Sequence, residues 1–152
     1  VRHDWGWHIT TVDTATGAGL LPSLALDAQG YPWISYYRIG TWDHGIGEVR
    51  LAHFDGRHWH VEVVDRHNNA GRYNALALTA DGRPVIAYYV VRGADLRLAW
   101  KDTDWQHQTI ATQGNVGGWV TLQLEHDRRG HLTYADGSTT TYTIIDWFDE
   151  GG

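Results

Sequence analysis

The sequence predicts an all-β chain assembled from a repeated unit of four short strands. Three observations carry this prediction. A long stretch of sequence occurs twice, and apolar and polar residues alternate in short runs between turn residues. In addition, no segment of helical length shows apolar residues spaced at i, i+3, i+4 and i+7. We therefore expect sheets joined by turns, with little helix.

The repeat is clearest between residues 22–37, PSLALDAQGYPWISYY, and residues 74–89, NALALTADGRPVIAYY. The two segments lie 52 residues apart, and Gly82 repeats Gly30. Each glycine follows a short polar stretch and supplies the positive φ that a turn between two strands requires. Each segment is therefore predicted to be two strands and the turn that joins them.

Each full unit contains four predicted strands. In the first unit they span residues 24–26, 33–37, 49–53 and 59–65, and in the second 75–78, 85–89, 96–100 and 105–111. The third unit supplies three strands, at 120–124, 131–136 and 142–149. Its fourth strand is expected at the other end of the chain, because residues 7–13, WHITTVD, align without gaps on residues 59–65, WHVEVVD.

A period of 46 to 52 residues with four strands per unit is typical of the blades of a β-propeller. We predict one domain, residues 1–152, with blades at about 14–65, 66–112 and 113–152, the last completed by the strand at 7–13. Closed propellers have about four to eight blades. Two routes therefore stay open. Two chains form a six-bladed ring, in which each N-terminal strand finishes a blade of its own or of the other chain, or the chain is part of a longer propeller.

The composition excludes several classes of function. Hydrophobic residues make up 42% of the chain and charged residues 20%, which is typical of a globular protein. No apolar run approaches the roughly 20 residues of a membrane-spanning helix. The net charge of −6 does not favour binding to a nucleic-acid backbone, which needs clustered Lys and Arg. The chain has no cysteine, so no disulfide is expected.

The repeated pattern P-S-L-A-L-D-x-x-G-x-P-x-I-S-Y-Y, followed by L-R-L-A and W-x-x-x-x-V-D, resembles repeats of bacterial secreted and surface propellers of the sialidase-like and lectin-like type. The resemblance covers residues 7–112 well and 113–150 loosely. It implies a propeller fold and an extracellular or cell-surface location. The Ser-x-Asp-x-Gly-x-x-Trp box of true sialidases is missing, which argues against sialidase chemistry.

In such a fold the loops between the second and third strands and the connections between blades open on one face, which is the usual binding face. The first such loop brings Trp42, Asp43 and His44 together. The connections between blades add six further candidates: Arg66, His67, Asn68, Asn69, Arg72 and Trp119. Aromatic rings beside amide, guanidinium and carboxylate groups suit a sugar, which stacks its apolar face and hydrogen-bonds its hydroxyls. Packing within a loop or blade is the alternative role for Trp42 and Trp119.

The sequence predicts no catalytic residue, metal site or cofactor. His58 and His60 share a strand face, but no third ligand has a defined position. There is no Gly-x-Ser-x-Gly elbow and no cysteine nucleophile. We expect a non-catalytic recognition module that binds a glycan or surface polysaccharide and self-associates into a ring. Two alternatives remain: a structural or protein-interaction propeller, and a fragment of a glycan-active hydrolase or lyase.

Overall fold

The computed structural model describes residues 6–40, 46–126 and 128–147, with only the backbone described at position 126. Every helix or strand assigned in these ranges is a β-strand, which confirms the all-β prediction. The strands are β1 (Leu20–Leu26), β2 (Pro32–Arg38), β3 (Glu48–Phe54), β4 (Trp59–Asp65), β5 (Ala70–Leu78), β6 (Pro84–Val90), β7 (Asp95–Lys101), β8 (Trp105–Ala111), β9 (Val116–His126), β10 (Arg129–Asp136) and β11 (Thr139–Asp146). A helix of the length and hydropathy needed to cross a membrane is absent from this part of the chain.

The strands form three antiparallel sheets, named here the first (β1–β4), second (β5–β8) and third (β9–β11) sheet. In each sheet the strands follow one another in chain order. The first two sheets share one register, since Leu24 pairs with Ile34 in the first and Leu76 pairs with Ile86 in the second. The internal repeat of the sequence is therefore a repeat of structure.

The strand predicted at residues 7–13 is absent. Residues 6–13 form no strand pairing, and Trp7 and Ile9 are 96% and 93% exposed. The third sheet therefore has three strands, with β11 at its edge. The physical reason is that a strand forms only beside the backbone groups of another edge. The N-terminal segment instead contacts side chains on a face of the first sheet, where Asp13 meets Tyr36 and Arg50.

The second sheet lies between the other two, and each of its faces is covered by a neighbour. Side chains of the first and second sheets form one core, which includes Leu51, Val64, Leu76, Ile86 and Tyr88. Side chains of the second and third sheets form the other, which includes Leu98, Trp100, Leu122, Leu132 and Trp147. Burial of these apolar faces is the main force that holds neighbouring sheets together.

Two further contacts fix how the second sheet sits on the first. Asp65, the last residue of β4, accepts hydrogen bonds from Tyr88 Oη at 2.6 Å and from Arg97 Nη1 at 2.7 Å. Gly71, with φ of +117°, lies so near β3 that a Cβ atom there would be 2.6 Å from the Cβ of Val49. Only glycine allows both this backbone conformation and this approach.

Candidate functional site

A pocket of about 570 Å³ opens at the boundary between the first and second sheets. It lies at the end of the sheets that carries the β2–β3 and β6–β7 loops and the β4–β5 connection. This is the face that the sequence predicts as the binding face. The pocket is lined by Leu20, Leu21, Tyr37, Ile39, Gly40, Ile46, Gly47, Asn69, Arg72 and Arg92.

A hydrogen bond between Tyr37 and Asn69 joins the two sides of the pocket. The Tyr37 hydroxyl, at the end of β2, donates to Oδ1 of Asn69 at 2.7 Å. This bond leaves the Asn69 amide N–H groups and a lone pair of the Tyr37 oxygen for other partners. The pair therefore offers both donors and an acceptor to a hydroxyl-rich ligand.

The backbone around Asn69 is held in an uncommon conformation. Asn68 and Asn69 have φ of +50° and +66°, in the left-handed region where asparagine is among the better tolerated residues. Their carbonyl groups accept hydrogen bonds from the amide N–H groups of Arg92, at 3.0 Å, and Val91, at 3.2 Å. The β6–β7 loop thus fixes the connection that carries Asn69.

The charged residues in the described lining of the pocket are both arginines. Neither Arg72 nor Arg92 forms an ion pair with another residue in the described parts of the chain. The Arg72 guanidinium carbon lies 6.0 Å from the centroid of the Tyr73 ring, which is the outer limit of a cation–π contact. No carboxylate belongs to the described lining. The described lining therefore carries positive charge, although the whole chain has a net charge of −6.

Two of the nine predicted site residues, Asn69 and Arg72, lie in the pocket. Trp42, Asp43 and His44 lie outside the described residues. Gly40 and Ile46, which flank that stretch of the chain, both line the pocket. A role for these three residues stays a prediction.

Three other predicted residues are placed beside the pocket but not in its lining. Arg66 directs its Nη2 atom to Oε2 of the buried Glu48 at 3.3 Å. Glu48 also holds Arg50, with Nη2 at 2.7 Å, so Arg66 belongs to a charge cluster of the first sheet. His67 and Asn68 are exposed and hydrogen-bond each other at 2.9 Å.

Trp119 lies at the next boundary, between the second and third sheets. Its ring stacks on Tyr73 with centroids 4.6 Å apart, yet the residue remains 72% exposed. Tyr89 lies beside the pair and donates a hydrogen bond to Asn115 at 2.6 Å. This contact repeats the one between Tyr37 and Asn69. The second boundary thus repeats the polar pair of the first and adds an exposed aromatic platform.

Sequence reasoning missed Tyr37 and Arg92. Tyr37 follows Tyr36 in the repeat, and in the sequence the two look alike as core residues. Both are indeed buried, and they differ only in the face of the sheet to which each side chain points. Arg92 lies in a loop that was expected on the binding face but contributed no named candidate. A polar hydroxyl at the end of a strand, next to a loop, was the signal that could have identified Tyr37.

The lining limits the chemistry of the pocket. Hydrolysis of a glycoside by paired carboxylates needs two acids about 5–10 Å apart, and the described lining supplies none. In the described residues, no three His, Asp or Glu side chains lie close enough together to hold a metal ion. What the arrangement offers is directed hydrogen bonding, positive charge and an apolar rim from Leu20, Leu21 and Ile46.

Comparisons with known proteins are sparse. No protein-family model and no curated protein matches the chain. In structure the chain is similar to a fucose lectin from Kordia zhangzhouensis, solved in complex with methyl-fucoside. The TM-score is 0.47 and the identity 16%, over 83% of this chain and 99% of the lectin.

Proposed function

We infer that the protein is a non-catalytic β-propeller module in which the three sheets are blades, and that it binds carbohydrate at the boundary between blades. The observation that carries the inference is the pocket of about 570 Å³, which combines the Tyr37–Asn69 pair with an apolar rim. Sugars need this combination, since their hydroxyls take directed hydrogen bonds while their C–H faces pack on apolar side chains.

The ligand class is an acidic carbohydrate, such as a uronic-acid or sulfated polymer. Arg72 and Arg92 have no ionic partner among the described residues, and a guanidinium binds a carboxylate or sulfate through two parallel hydrogen bonds. A polymer would also reach the second boundary, where Trp119 presents a ring for stacking. A glycan partner of this kind agrees with an extracellular or cell-surface location, which is part of the proposal.

The experiment is a binding titration against matched pairs of acidic and neutral polysaccharides. Affinity for the acidic member should fall as NaCl is raised, because the ionic contribution is screened. Arg72→Gln and Arg92→Gln should each weaken binding at least tenfold. Arg57→Gln is the matched control, because Arg57 lies in the β3–β4 turn at the opposite end of the first sheet, and it should bind like the wild type.

Three results would count against the proposal. Equal affinity for neutral and acidic polymers, unchanged by Arg72→Gln, would exclude the acidic class. No binding to any carbohydrate on a broad panel would exclude a lectin-like function and leave the structural or protein-interaction role. Release of reducing ends from a bound glycan would show a hydrolase.

A further inference from the structure

The first and third sheets each have a face that no other sheet of the described chain covers, although Asp13 of the N-terminal segment contacts Tyr36 and Arg50 on the first. The open face of the first sheet is defined by Leu24, Ile34, Tyr36 and Arg50, and the open face of the third sheet by Thr121, Thr133, Tyr142 and Ile144. Leu24 and Tyr142 are 64% and 59% exposed. Both faces therefore present large side chains to solvent.

The internal repeat shows what packs against the equivalent faces of the other sheets in this chain. Leu76 and Leu122 occupy the position of Leu24 in the second and third sheets, and they are only 7% and 9% exposed. Leu98, at the position of Tyr142, is 0% exposed. In each case the cover is the neighbouring sheet. In each of the two interfaces inside the chain, the face that corresponds to the open face of the first sheet thus packs against the face that corresponds to the open face of the third sheet.

We propose that the open face of the first sheet binds the open face of the third sheet of a second copy of this chain. Because the two faces differ, two chains make two such contacts and close a ring of six sheets. The occupant follows from the interfaces already present, where the same two kinds of face are joined twice. This proposal does not depend on the carbohydrate proposal.

Asp13 gives independent support. Its Oδ2 atom accepts hydrogen bonds from Tyr36 Oη at 2.7 Å and Arg50 Nη1 at 2.9 Å. Asp65 makes the same two contacts with Tyr88 and Arg97 of the second sheet, and there it is the last residue of the preceding sheet's outer strand. Asp13 therefore sits where the outer strand of an incoming sheet should end.

The third sheet is the one that lacks an outer strand. Its edge strand, β11, has one hydrogen-bonded neighbour, β10, in the described chain. When the third sheet of a second copy covers the first sheet, residues 7–12 come to lie beside that copy's β11. The segment then pairs as the fourth strand, with Trp7 in the position held by Trp59 and Trp105 in the other sheets.

A small pocket marks the contact point. It has a volume of about 220 Å³ and is lined by Val12, Asp13, Gly19, Pro22, Ile34 and Tyr36. At the inner interface, Val49 packs against Gly71, the counterpart of Gly19. A Cβ atom added at Gly19 would have no described atom within 4 Å, its own chain neighbours apart. Thr140 and Tyr142 of the second copy correspond to Val49 and Leu51, so they fill this pocket.

The first test is the native mass of this 152-residue chain in solution, by light scattering after size exclusion. The wild type should show about twice 17.2 kDa. Leu24→Asp and Tyr142→Asp, each on one open face, should give monomers. Thr103→Asp adds the same charge in the exposed β7–β8 turn and should remain dimeric. A monomeric wild type, or dimers that survive both face variants, would overturn the proposal.

Mixing the two face variants tests the pairing of unlike faces. In a mixture, the Leu24→Asp chain keeps an intact third sheet and the Tyr142→Asp chain an intact first sheet, so one of the two contacts can form. The mixture should therefore regain a dimer, weaker than the wild type, that neither variant forms alone. A mixture that stays monomeric contradicts the proposed pairing.

A cross-link locates the contact, and the chain is suited to it because it has no cysteine. Ser35 donates a hydrogen bond to Asn74 across the inner interface at 2.5 Å, and the counterparts of these residues are Thr133 and Pro22. A chain carrying Thr133→Cys and Pro22→Cys should form covalent dimers on oxidation. Neither single variant should do so, and equal cross-linking by a single variant would show a different interface.

Discussion

Asp65 and Tyr88 are joined by a hydrogen bond of 2.6 Å that crosses from the first sheet to the second, and Asp13 and Tyr36 repeat it at 2.7 Å. The acid also pairs with an arginine in both places. In both cases burial and the bond to the acid raise the pKa of the tyrosine, so the phenol stays protonated and donates. The same polar contact thus joins the first sheet to the second in one case. In the other case it joins the first sheet to the N-terminal segment, which belongs to no sheet.

The first prediction compares the two aspartates. Asp65→Asn should lower the free energy of unfolding by roughly 3 kcal/mol, because it leaves the largely buried Arg97 without its ion pair. Asp13→Asn should cost about 1 kcal/mol, because Arg50 keeps its ion pair with Glu48 and only a short segment is released. Urea unfolding of the two variants at one protein concentration measures both values. Equal losses would show that the N-terminal segment is as important to the fold as β4.

Gly71 and Gly19 form a second matched pair. Both have positive φ, so alanine strains the backbone at either position, by about 1–2 kcal/mol. At position 71 the added methyl group also meets Val49, and the loss of stability should be larger by at least 1 kcal/mol. Thermal unfolding of Gly71→Ala and Gly19→Ala under monomeric conditions checks the difference. A larger effect at position 19 would contradict the packing described.

His53 should make stability depend on pH. Burial, together with the charge of nearby His60, lowers the pKa of His53 below its ordinary value of 6.5, and the ring stacks on Trp33 at 4.2 Å. The folded state therefore binds the proton less well than the unfolded state, so stability is complete above pH 6.5 and declines as the pH falls to the folded pKa. NMR titration of the imidazole measures that pKa directly.

The control for this pH effect is His53→Gln. The difference in unfolding free energy between the wild type and this variant should change between pH 7.5 and pH 5, in favour of the variant at the lower pH. A pKa at or above 6.5 for His53 would contradict the burial and the stacking seen here.

Tyr37→Phe tests the polar pair of the pocket. The change removes one hydroxyl and leaves Asn69 without its partner, so binding of the glycan should weaken by about 0.5–1.5 kcal/mol. Tyr89→Phe removes the equivalent hydroxyl at the second boundary and serves as the comparison. Calorimetric titration of both variants would show which boundary contributes more. Unchanged affinity in both would exclude these pairs from the site.

Trp119→Ala tests the aromatic platform. Since the side chain is 72% exposed and stacks on Tyr73, its loss should change stability by less than about 1 kcal/mol. Binding of a long polymer should weaken by a larger factor than binding of a short oligosaccharide, because only the polymer reaches both boundaries. Equal loss for the two ligands would contradict a second contact point.

The repeated strands could be read from the sequence because local alternation and turn glycines are properties of neighbouring residues. The segment at 7–13 has the same local pattern as β4, yet it forms no strand. Pairing requires an edge at the right place, and such an edge is a tertiary property. The alignment on residues 59–65 predicted a fourth strand for the chain itself or for a second chain, and in the single chain residues 6–13 form no strand pairing.

The sequence predicted which face of the sheets carries the candidate site, but not which residues line it. Arg66 and Arg72 are both basic residues of one connection as predicted from the sequence, and nothing local distinguishes them. Glu48 separates them, because this buried acid pairs with Arg66 while Arg72 lines the pocket. A buried glutamate at the start of a strand could not be inferred from composition, so the lining of the pocket required the three-dimensional arrangement.

Because the two open faces differ, they also determine how chains assemble when the proposed ring of six sheets does not close. A contact between different patches leaves one patch of each kind free at the ends of any open assembly, and further chains can add there without limit. If two chains form the ring of six sheets proposed above, a small change in the angle between neighbouring sheets would therefore turn the closed pair into a growing filament.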